Sequence, residues 1–459
     1  MMHSFAILTL GCKVNQYESQ QIRQLLEGSG LRLVDLADSP ELVVVNSCCV
    51  THTASAKSRH LLHQAGKQNP QAIVLCGCLP AVKTDELKPV GENIHVVKNR
   101  CDLADTLSRL AHTESTTPNS NQAKHLSTAL IRPENDAKVK SKNDLHLHQD
   151  LPALASFHGQ TRAFLKIQDG CDAFCSYCII PTARPIVRFK NVEEILAEAA
   201  ALVASGHKEI VLTGIHIGAY GQATVRRRHW PTEENPHLAD LLAQVAQIPN
   251  LARIRLSSLD PADVTSRLFD AFCDHPNIMP HLHLSLQSGS DAVLRRMARP
   301  YTADEFRAKV TLVKARLDRP AITTDIIVGF PGETDANFDQ TVALAKEVGF
   351  AKMHVFAFSP RKGTAAAKMR PRVAPAVIKA RSQTLRDLDR DLQTRFRAQF
   401  LGETAQVLIE SHEGPPTGRA ERYFTVRIEH GTNRINACGD LVTAKLTQNT
   451  ADAVLAQIA

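Results

Sequence analysis

The sequence lacks any apolar stretch that approaches the roughly 20 residues needed to span a bilayer, which argues against a membrane-spanning protein. Its start, MMHSFAILTLGCK, also lacks the basic segment, the long apolar run and the small-residue cleavage site of a secretory signal peptide. We therefore predict a cytoplasmic protein. In that compartment its 11 cysteines would stay reduced, so cysteine clusters indicate metal binding or catalysis rather than disulfides.

Aromatic residues are absent from residues 113–150, which are instead rich in Ser, Thr, Asn and Lys. Such a composition cannot form a packed core, and we predict a polar linker over residues 113–155. A different absence concerns GFPGE, residues 329–333, which lacks the Lys-Ser/Thr pair of a phosphate-binding loop. This segment is interpreted as a turn between a strand and a helix.

On either side of the linker, short apolar strands alternate with amphipathic helices. With 459 residues and 43% hydrophobic content, the chain is long enough for roughly three domains at about 150 residues each. In residues 1–112 the runs FAILTL, LVVVN and AIVLCG alternate with helical patterns, which predicts an α/β domain with a parallel sheet.

Six further strand-like runs follow in residues 156–390, each separated from the next by a helical or irregular segment. Six units are too few for a closed eight-fold barrel, so we predict an open, partial (βα)6 barrel. In residues 391–459 the pattern changes to alternation with period two, which predicts a small all-β module at the C-terminus.

The strongest chemical signal is QDGCDAFCSYC, which places Cys171, Cys175 and Cys178 on one loop directly after a strand. Thiolates at this spacing can each bind a different iron of one 4Fe-4S cluster and leave the fourth iron free for a substrate. A structural zinc site is the alternative, but zinc needs a fourth ligand and usually takes C-x2-C pairs.

Three more cysteines follow strands of the N-terminal domain, namely Cys12, Cys48 and Cys78. In a parallel sheet all three would emerge at the same carboxyl edge, where such folds form their ligand sites. They suggest a second cluster. The alternative is three unrelated buried cysteines, since cysteine is often buried in any case.

Several motifs resemble the radical S-adenosylmethionine methylthiotransferase family, and the resemblance extends over nearly the whole chain. They are TLGCKVNQYES, VNSCCVT, LCGCLP, GCDAFCSYCIIP and TTDIIVGFPGETDANFDQT. The resemblance implies an N-terminal domain with an auxiliary 4Fe-4S cluster on Cys12, Cys48 and Cys78, a radical domain, and a C-terminal TRAM domain, a small β-barrel that binds RNA.

By the same resemblance, S-adenosylmethionine binds at the cluster held by Cys171, Cys175 and Cys178, in a pocket expected to include Tyr177, Gly214 and Gln287. Core packing is the alternative role for Tyr177. His216, at the end of a strand, either faces this cofactor or is a packed histidine.

GCKVNQYES resembles the branch of the family that acts on N6-threonylcarbamoyladenosine beside the tRNA anticodon. The resemblance implies transfer of a methylthio group to C2 of the modified adenine, with a sulfur donor and a flavodoxin-type electron donor as further partners. The alternatives are methylthiolation of isopentenyladenosine or of a ribosomal-protein aspartate, and an RNA-binding protein with purely structural metal sites.

The chain departs from the family pattern at a few positions. Pro185 stands where Gly is usual, Phe189 and Lys190 stand where Ser and Arg are usual, and Cys49 stands where Thr is usual. The first three concern substrate contact. For Cys49, directly after Cys48, we predict a packed thiol rather than a second ligand, since side chains alternate along a strand.

Two basic segments could contact RNA. The formal net charge is +7, and basic residues are dense from Arg361 to Arg397. This run is interpreted either as a solvated helix face or as a phosphate-binding surface. In Arg226–Trp230, RRRHW, the indole could stack on a base. Because both clusters lie upstream, the sequence suggests that the C-terminal module is separable from the radical chemistry.

Overall fold

The computed structural model describes residues 2–82, 91, 93–112, 151–232, 234–430, 435 and 437–459. Most of the predicted linker, residues 113–150, lies outside the described residues. The chain forms two compact units, residues 1–49 with 53–153, and residues 50–52 with 154–459. None of the described helices has the length and apolar character that a bilayer crossing requires.

The first unit contains a parallel sheet with helices on both faces, as the sequence predicts. Its strands are β1 (Ser4–Thr9), β2 (Arg32–Leu33), β3 (Leu42–Ser47), β4 (Ala72–Gly77) and β5 (Ile94–Val96). They pair in the order β2-β1-β3-β4-β5, and every pairing is parallel. The helices are α1 (Lys13–Gly28), α2 (His52–Lys67), α3 (Cys78–Ala81) and α4 (Leu103–His112).

The central strands of this sheet are buried on both sides. In β3, Val44 belongs to the core formed with α1 and α4, whereas Val43 and Val45 belong to the core on the opposite face, beside α2. A strand that is covered on both faces favours a continuous apolar run, which explains why LVVVN shows no polar alternation.

The second unit begins with the predicted six-stranded partial barrel. Its six parallel strands are β6 (Arg162–Lys166), β9 (Glu209–Thr213), β10 (Arg253–Leu256), β11 (His281–His283), β12 (Ala321–Val328) and β13 (Lys352–Ala357). A short antiparallel pair, β7 (Gln168–Asp169) and β8 (Arg188–Phe189), follows β6 in the chain. The helices are α5 (Ile180–Ala183), α6 (Val192–Ala204), α7 (His237–Ala246), α8 (Ser266–Asp274), α9 (Asp291–Arg296), α10 (Ala303–Arg316), α11 (Asp335–Val348) and α12 (Pro375–Ala398).

These six strands form two ladders, β6-β9-β10 and β11-β12-β13. Single parallel bridges, Ile254 to Ile278 and Leu259 to Leu284, connect the segments around β10 and β11, so the spatial order follows the chain order. Among the described residues β6 and β13 do not pair with each other, and the barrel is open. The turn at residues 329–333 connects β12 to α11, as interpreted from the sequence.

The C-terminal part of the second unit is a closed barrel, and buried and exposed residues alternate along its strands. In the part of the chain that the structure describes, these are β14 (Thr404–Ser411), β15 (Thr417–Ala420), β16 (Thr425–His430), β17 (Leu441–Asn449) and β18 (Val454–Ile458). They close in the order β14-β15-β16-β18-β17. Residues two apart, such as Val407 and Ile409 or Val426 and Ile428, are fully buried in its interior.

The closed barrel contacts the partial barrel through two buried arginines at the start of β10. Arg253 Nη1 donates to the Arg419 carbonyl at 2.9 Å, and Arg255 Nη2 donates to the Ala420 carbonyl at 2.9 Å. Both guanidiniums also pair with buried Glu209. Burial of Glu209 disfavours its ionised form and would raise its pKa. The neighbouring arginines outweigh this effect and lower the pKa of Glu209 below its ordinary value. These charges can be buried because each is paired.

The turn between β15 and β16 therefore lies at the amino-terminal ends of the partial-barrel strands. Its Tyr423 ring stacks on His281 with 4.2 Å between centroids, and the guanidinium of Arg255 lies 5.2 Å from the Tyr423 centroid. This arrangement places the closed barrel at one end of the partial barrel and leaves the carboxyl ends of the strands for the site.

Candidate functional site

The loop that carries Cys171, Cys175 and Cys178 lies between β7 and α5. It begins at Gly170, whose φ of 78° is in the left-handed region. A Cβ at this position would lie 1.7 Å from the Ile186 carbonyl oxygen, so only glycine fits. The loop is further fixed at Ser176, whose Oγ donates to the Arg296 carbonyl at 2.7 Å.

The three thiols lie close enough to influence one another's ionisation. Burial, together with the neighbouring Cys178 and Cys175, raises the pKa of Cys171 to about 12. A bound metal must displace these protons, since thiolate is the ligand form. Three converging cysteines fit a 4Fe-4S cluster with one iron free of protein ligands.

Arg299 gives this site a positive group at the sulfur atoms. Its Nη1 donates to Cys175 Sγ at 3.2 Å, and its Nη2 forms an ion pair with Asp260. Burial of Asp260 disfavours its ionised form and would raise its pKa. The Arg299 guanidinium outweighs this effect and lowers the pKa of Asp260. Motif reasoning missed both residues, because they lie far from the cysteines in the chain. A cation bonded to sulfur suits a cluster of net negative charge.

The residues expected at the S-adenosylmethionine pocket lie on three different segments. Tyr177 packs beside Met297 and Phe330, so the ring has a core contact as well as a place on the cluster loop. Gly214 follows β9, and a Cβ there would lie 2.9 Å from the Gln168 carbonyl oxygen. Gln287 has a φ of 64° and follows β11. All three lie at the carboxyl ends of partial-barrel strands.

The cysteines of the first unit follow three neighbouring strands. Cys12 follows β1 and precedes α1, Cys48 follows β3, and Cys78 is the first residue of α3, directly after β4. Because β1, β3 and β4 are adjacent and parallel, the three residues lie at one edge of the sheet. A Cβ on Gly11 would lie 3.3 Å from the Cys48 Cβ, so the first two turns are in contact.

Polar side chains connect these turns to each other. Asn15 Nδ2 donates to the carbonyls of Leu10 and Ser47, at 2.9 and 3.0 Å, and Ser47 Oγ donates to the Cys76 carbonyl. The backbone of Cys48 donates to Ser58 Oγ at 3.0 Å. The edge thus has a fixed backbone and three cysteine donors, a set that fits a second 4Fe-4S cluster. Cys49 is fully buried.

In the basic segment Arg226–Trp230, the indole is not available for stacking on a base, contrary to the interpretation from the sequence. Trp230 is 8% exposed, and its Nε1 donates to the Thr224 carbonyl at 2.7 Å. The guanidinium of Arg227 lies 4.5 Å from the indole centroid and also pairs with Asp263. The indole is therefore a packed side chain. Periodicity could not reveal this, because Thr224 belongs to the same loop and Asp263 to a distant turn after β10.

The dense basic run from Arg361 to Arg397 also splits into two groups. Arg361, Arg381 and Arg397 are buried, and so they do not form a solvated face. Arg381 pairs with Glu333, and Arg397 donates to the carbonyls of Thr450 and Ala451 in the closed barrel. Other members of the run, such as Arg386 and Arg390, are exposed.

Two departures from the family pattern, Phe189 and Lys190, have local packing roles. Lys190 is 1% exposed and forms an ion pair with buried Glu198, and the Tyr220 hydroxyl donates to its carbonyl at 2.9 Å. The Phe189 ring contacts the Tyr220 ring edge-on, with 5.6 Å between the ring centroids.

The side chain of His216 lies near an acidic residue, with 4.0 Å between His216 Nε2 and Asp263 Oδ2. The backbone N–H of His216 donates to Gln168 Oε1 at 2.8 Å.

A further polar group, which the motifs did not indicate, lies on three neighbouring strands of the partial barrel. One ligand atom from each of His283, Asp325 and His354 lies within 4.8 Å of the others. Thr323 Oγ1 also lies 3.0 Å from His283 Nδ1. Burial lowers the pKa of His354, which favours its neutral form at pH 7.

Two family models match the chain. The radical SAM superfamily model covers residues 165–345, and the model of an uncharacterized protein family, UPF0004, covers residues 4–98. The first range contains the cluster loop of the second unit, and the other contains the three cysteines of the first unit.

Several relatives are similar over most of their length. A threonylcarbamoyladenosine tRNA methylthiotransferase MtaB from Thermotoga maritima is 36% identical over 95% of this chain and 93% of the relative. The protein of the same name from Bacillus subtilis is 34% identical over 89% and 85%. A tRNA-2-methylthio-N(6)-dimethylallyladenosine synthase from Geobacillus kaustophilus is 30% identical over 97% and 80%.

Among solved structures, the fold resembles the radical S-adenosylmethionine methyltransferase TsrM from Kitasatospora setae. The TM-score is 0.53 at 13% identity, over 78% of this chain and 73% of that one. At this identity the likeness concerns the fold alone.

Proposed function

Because the chain belongs to the threonylcarbamoyladenosine tRNA methylthiotransferase family, within the radical S-adenosylmethionine superfamily, we propose that it transfers a methylthio group to C2 of N6-threonylcarbamoyladenosine in tRNA. The target C–H bond is unactivated, and acid–base chemistry does not readily break it. Radical chemistry suits this bond.

Two metal centres belong to this proposal. When bound, the cluster at Cys171, Cys175 and Cys178 supplies the electron that cleaves S-adenosylmethionine to a radical, and the cluster assigned to the first unit supplies the site for sulfur. The observation that carries the assignment is the hydrogen bond from Arg299 to Cys175 Sγ, since it places a cation on the sulfur of a three-cysteine loop.

The chain's own residues hold the reactants. Tyr177, Gly214 and Gln287 are assigned to the S-adenosylmethionine pocket, and Cys12, Cys48 and Cys78 to the auxiliary centre. In the proposed division, residues 1–112 carry that centre, residues 156–390 carry the radical chemistry, and residues 391–459 contact RNA.

A basic pocket supports the RNA contact. It has a volume of about 490 Å³ and lies between α12, β13 and the closed barrel. Two acidic residues, Asp389 and Asp452, also line it. Its basic lining residues are Lys352, Arg386, Arg390, Arg397, Arg419 and Arg422. An excess of cations in a concave surface suits the phosphates of an anticodon stem. A flavodoxin-type reductant and a sulfur donor complete the proposed partners.

The proposal is tested by nucleoside mass spectrometry of tRNA from a strain that lacks the protein. N6-threonylcarbamoyladenosine should accumulate without its methylthio group, and a plasmid copy of the gene should restore the modified nucleoside. Loss of methylthio-isopentenyladenosine instead would assign the chain to the substrate of the Geobacillus kaustophilus relative. Zinc in anaerobically reconstituted protein, without iron or acid-labile sulfide, would contradict an enzyme of this class.

A further inference from the structure

Phe174 lies between two cysteines of the cluster loop and is unusually open to solvent. It is 62% exposed, the largest exposed fraction among the large hydrophobic residues that the structure describes. A single exposed apolar side chain is common and would need no explanation by itself. The neighbouring Arg226 makes this one different.

The guanidinium of Arg226 stacks on one face of the Phe174 ring, with Cζ 3.8 Å from the ring centroid. Arg226 is fixed in place, because its Nε donates to the Asp172 carbonyl at 2.8 Å and lies 3.3 Å from Asp172 Oδ2. The same carboxylate accepts from Thr224 Oγ1 at 2.7 Å and from the Val225 backbone at 2.9 Å. One ring face is thus covered by a fixed cation, and the exposed area lies on the rest of the ring.

The charges indicate which kind of group this ring can bind. Asp172 balances the positive charge of Arg226, so the pair offers little attraction to a free phosphate. What it offers is a flat, preorganised aromatic surface. Single-stranded RNA is recognised by stacking of its splayed bases on such rings and on arginine planes.

We propose that Phe174, supported by Arg226, is a stacking site for an unpaired base that neighbours the modified adenosine in the tRNA loop. The inference rests on the proposed function for the identity of the RNA. Since Phe174 is on the same loop as the cluster cysteines, a base bound there fixes the adjacent nucleotide relative to the reacting centre. Phe174 is a positioning residue in this assignment.

The test compares Phe174→Leu, which removes the ring but stays apolar, with Phe174→Tyr, which keeps the ring. Steady-state methylthiolation of an anticodon stem-loop carrying N6-threonylcarbamoyladenosine should show a KM raised about tenfold in the leucine variant, because one base no longer stacks on the protein. The tyrosine variant should keep the wild-type KM. Equal KM values in all three proteins, at equal iron content, would overturn the proposal.

A second measurement holds even if Phe174→Leu fails to load iron. The chain has one tryptophan, Trp230, and it is buried, so Phe174→Trp adds a second, exposed indole as a reporter. Adding the stem-loop should quench this additional fluorescence, and a duplex RNA without unpaired bases should not. Unchanged fluorescence with the stem-loop would overturn the stacking site.

The proposed substrate and the proposed stacking site at Phe174 can be contradicted independently of each other. If the wild-type enzyme acts on isopentenyladenosine, the substrate assignment is wrong, and the same fluorescence experiment with that stem-loop still tests Phe174.

Discussion

Cys48 and Cys49 are adjacent thiols at the carboxyl edge of the first sheet, and we expect only one of them to bind iron. Cys48→Ala should lose about half of the iron and all methylthiolation, because one of two four-iron clusters is removed. It should still cleave S-adenosylmethionine at the other cluster. Iron and sulfide analysis and cleavage to 5′-deoxyadenosine measure these effects.

Cys49→Thr is the matched control, since it introduces the residue usual in the family at a buried position. It should keep both clusters and most of the activity. If Cys49→Thr loses iron while Cys48→Ala keeps it, the assignment of the ligand is reversed.

Arg299 allows a prediction that does not depend on turnover. Arg299→Lys keeps the positive charge, but a single ammonium cannot reproduce the two contacts of the guanidinium, to Cys175 Sγ and to Asp260. The reduction potential of the loaded cluster should fall, on the order of tens of millivolts, because hydrogen bonds to sulfur stabilise the reduced form. A redox titration followed by electron paramagnetic resonance measures the potential.

The control for this experiment is Arg296→Lys. Arg296 lies close by in the chain and donates to the carbonyls of Pro331 and Arg370, but not to a cysteine. Its variant should keep the wild-type potential. An unchanged potential in Arg299→Lys would show that the sulfur contact does not act on the cluster.

At the scale of elements, the turn between β15 and β16 determines how the closed barrel is attached. Tyr423 stacks on His281 and lies beside Arg162, Arg255 and Arg419. Tyr423→Ala should lower the free energy of unfolding by about 2–3 kcal/mol, because the ring packing and the cation–π interactions are removed. Tyr423→Phe keeps the ring and should lose little. Thermal unfolding of the second unit measures both, and equal stability of the alanine variant would contradict the role assigned to this turn.

A larger change is predicted when the closed barrel is deleted. The sequence suggests that it is separable, but removal of residues 404–459 would leave Arg253 and Arg255 without the carbonyls that accept their hydrogen bonds. The deletion would also expose Phe396 and Phe400, which are buried against the interior of the closed barrel, and exposing a large apolar side chain costs about 1.5–3 kcal/mol. The truncated chain should therefore lose S-adenosylmethionine cleavage as well as tRNA binding. Wild-type cleavage by this truncated protein would show that the barrel is independent after all.

Over the whole molecule, the cations that contact phosphates should appear in the salt dependence of tRNA binding, because each neutralised phosphate releases counterions. The double variant Arg386→Gln, Arg390→Gln removes two exposed cations from the basic pocket without touching the buried Arg397. The slope of log affinity against log salt should decrease by about 1 for each phosphate that the variant no longer neutralises. Arg267→Gln, on α8 and outside that pocket, is the control and should leave the slope unchanged. Binding titrations at several salt concentrations give the slopes.

The parts of this molecule that the sequence predicts well are those governed by local pattern. Alternating strands and helices indicate the parallel sheet and the six-stranded partial barrel, and the position of Cys48 after LVVVN follows from chain order. The burial of Trp230 and Arg381 could not be predicted in this way, since each depends on a partner that only the fold brings near. Arg299 was missed for the same reason, because its contact with Cys175 spans 124 positions in the chain.

The position of the β15–β16 turn has a consequence for the order of synthesis. Ribosomes complete the six strands of the partial barrel well before residues 420–424 emerge, and N-terminal parts of a chain generally fold first. During that interval Arg162, Arg253 and Arg255 share the carboxylate of Glu209, at an end of the barrel still open to water. A nascent chain that stops short of β16 would therefore expose three guanidiniums and one carboxylate that the complete chain covers with the carbonyls of the β15–β16 turn.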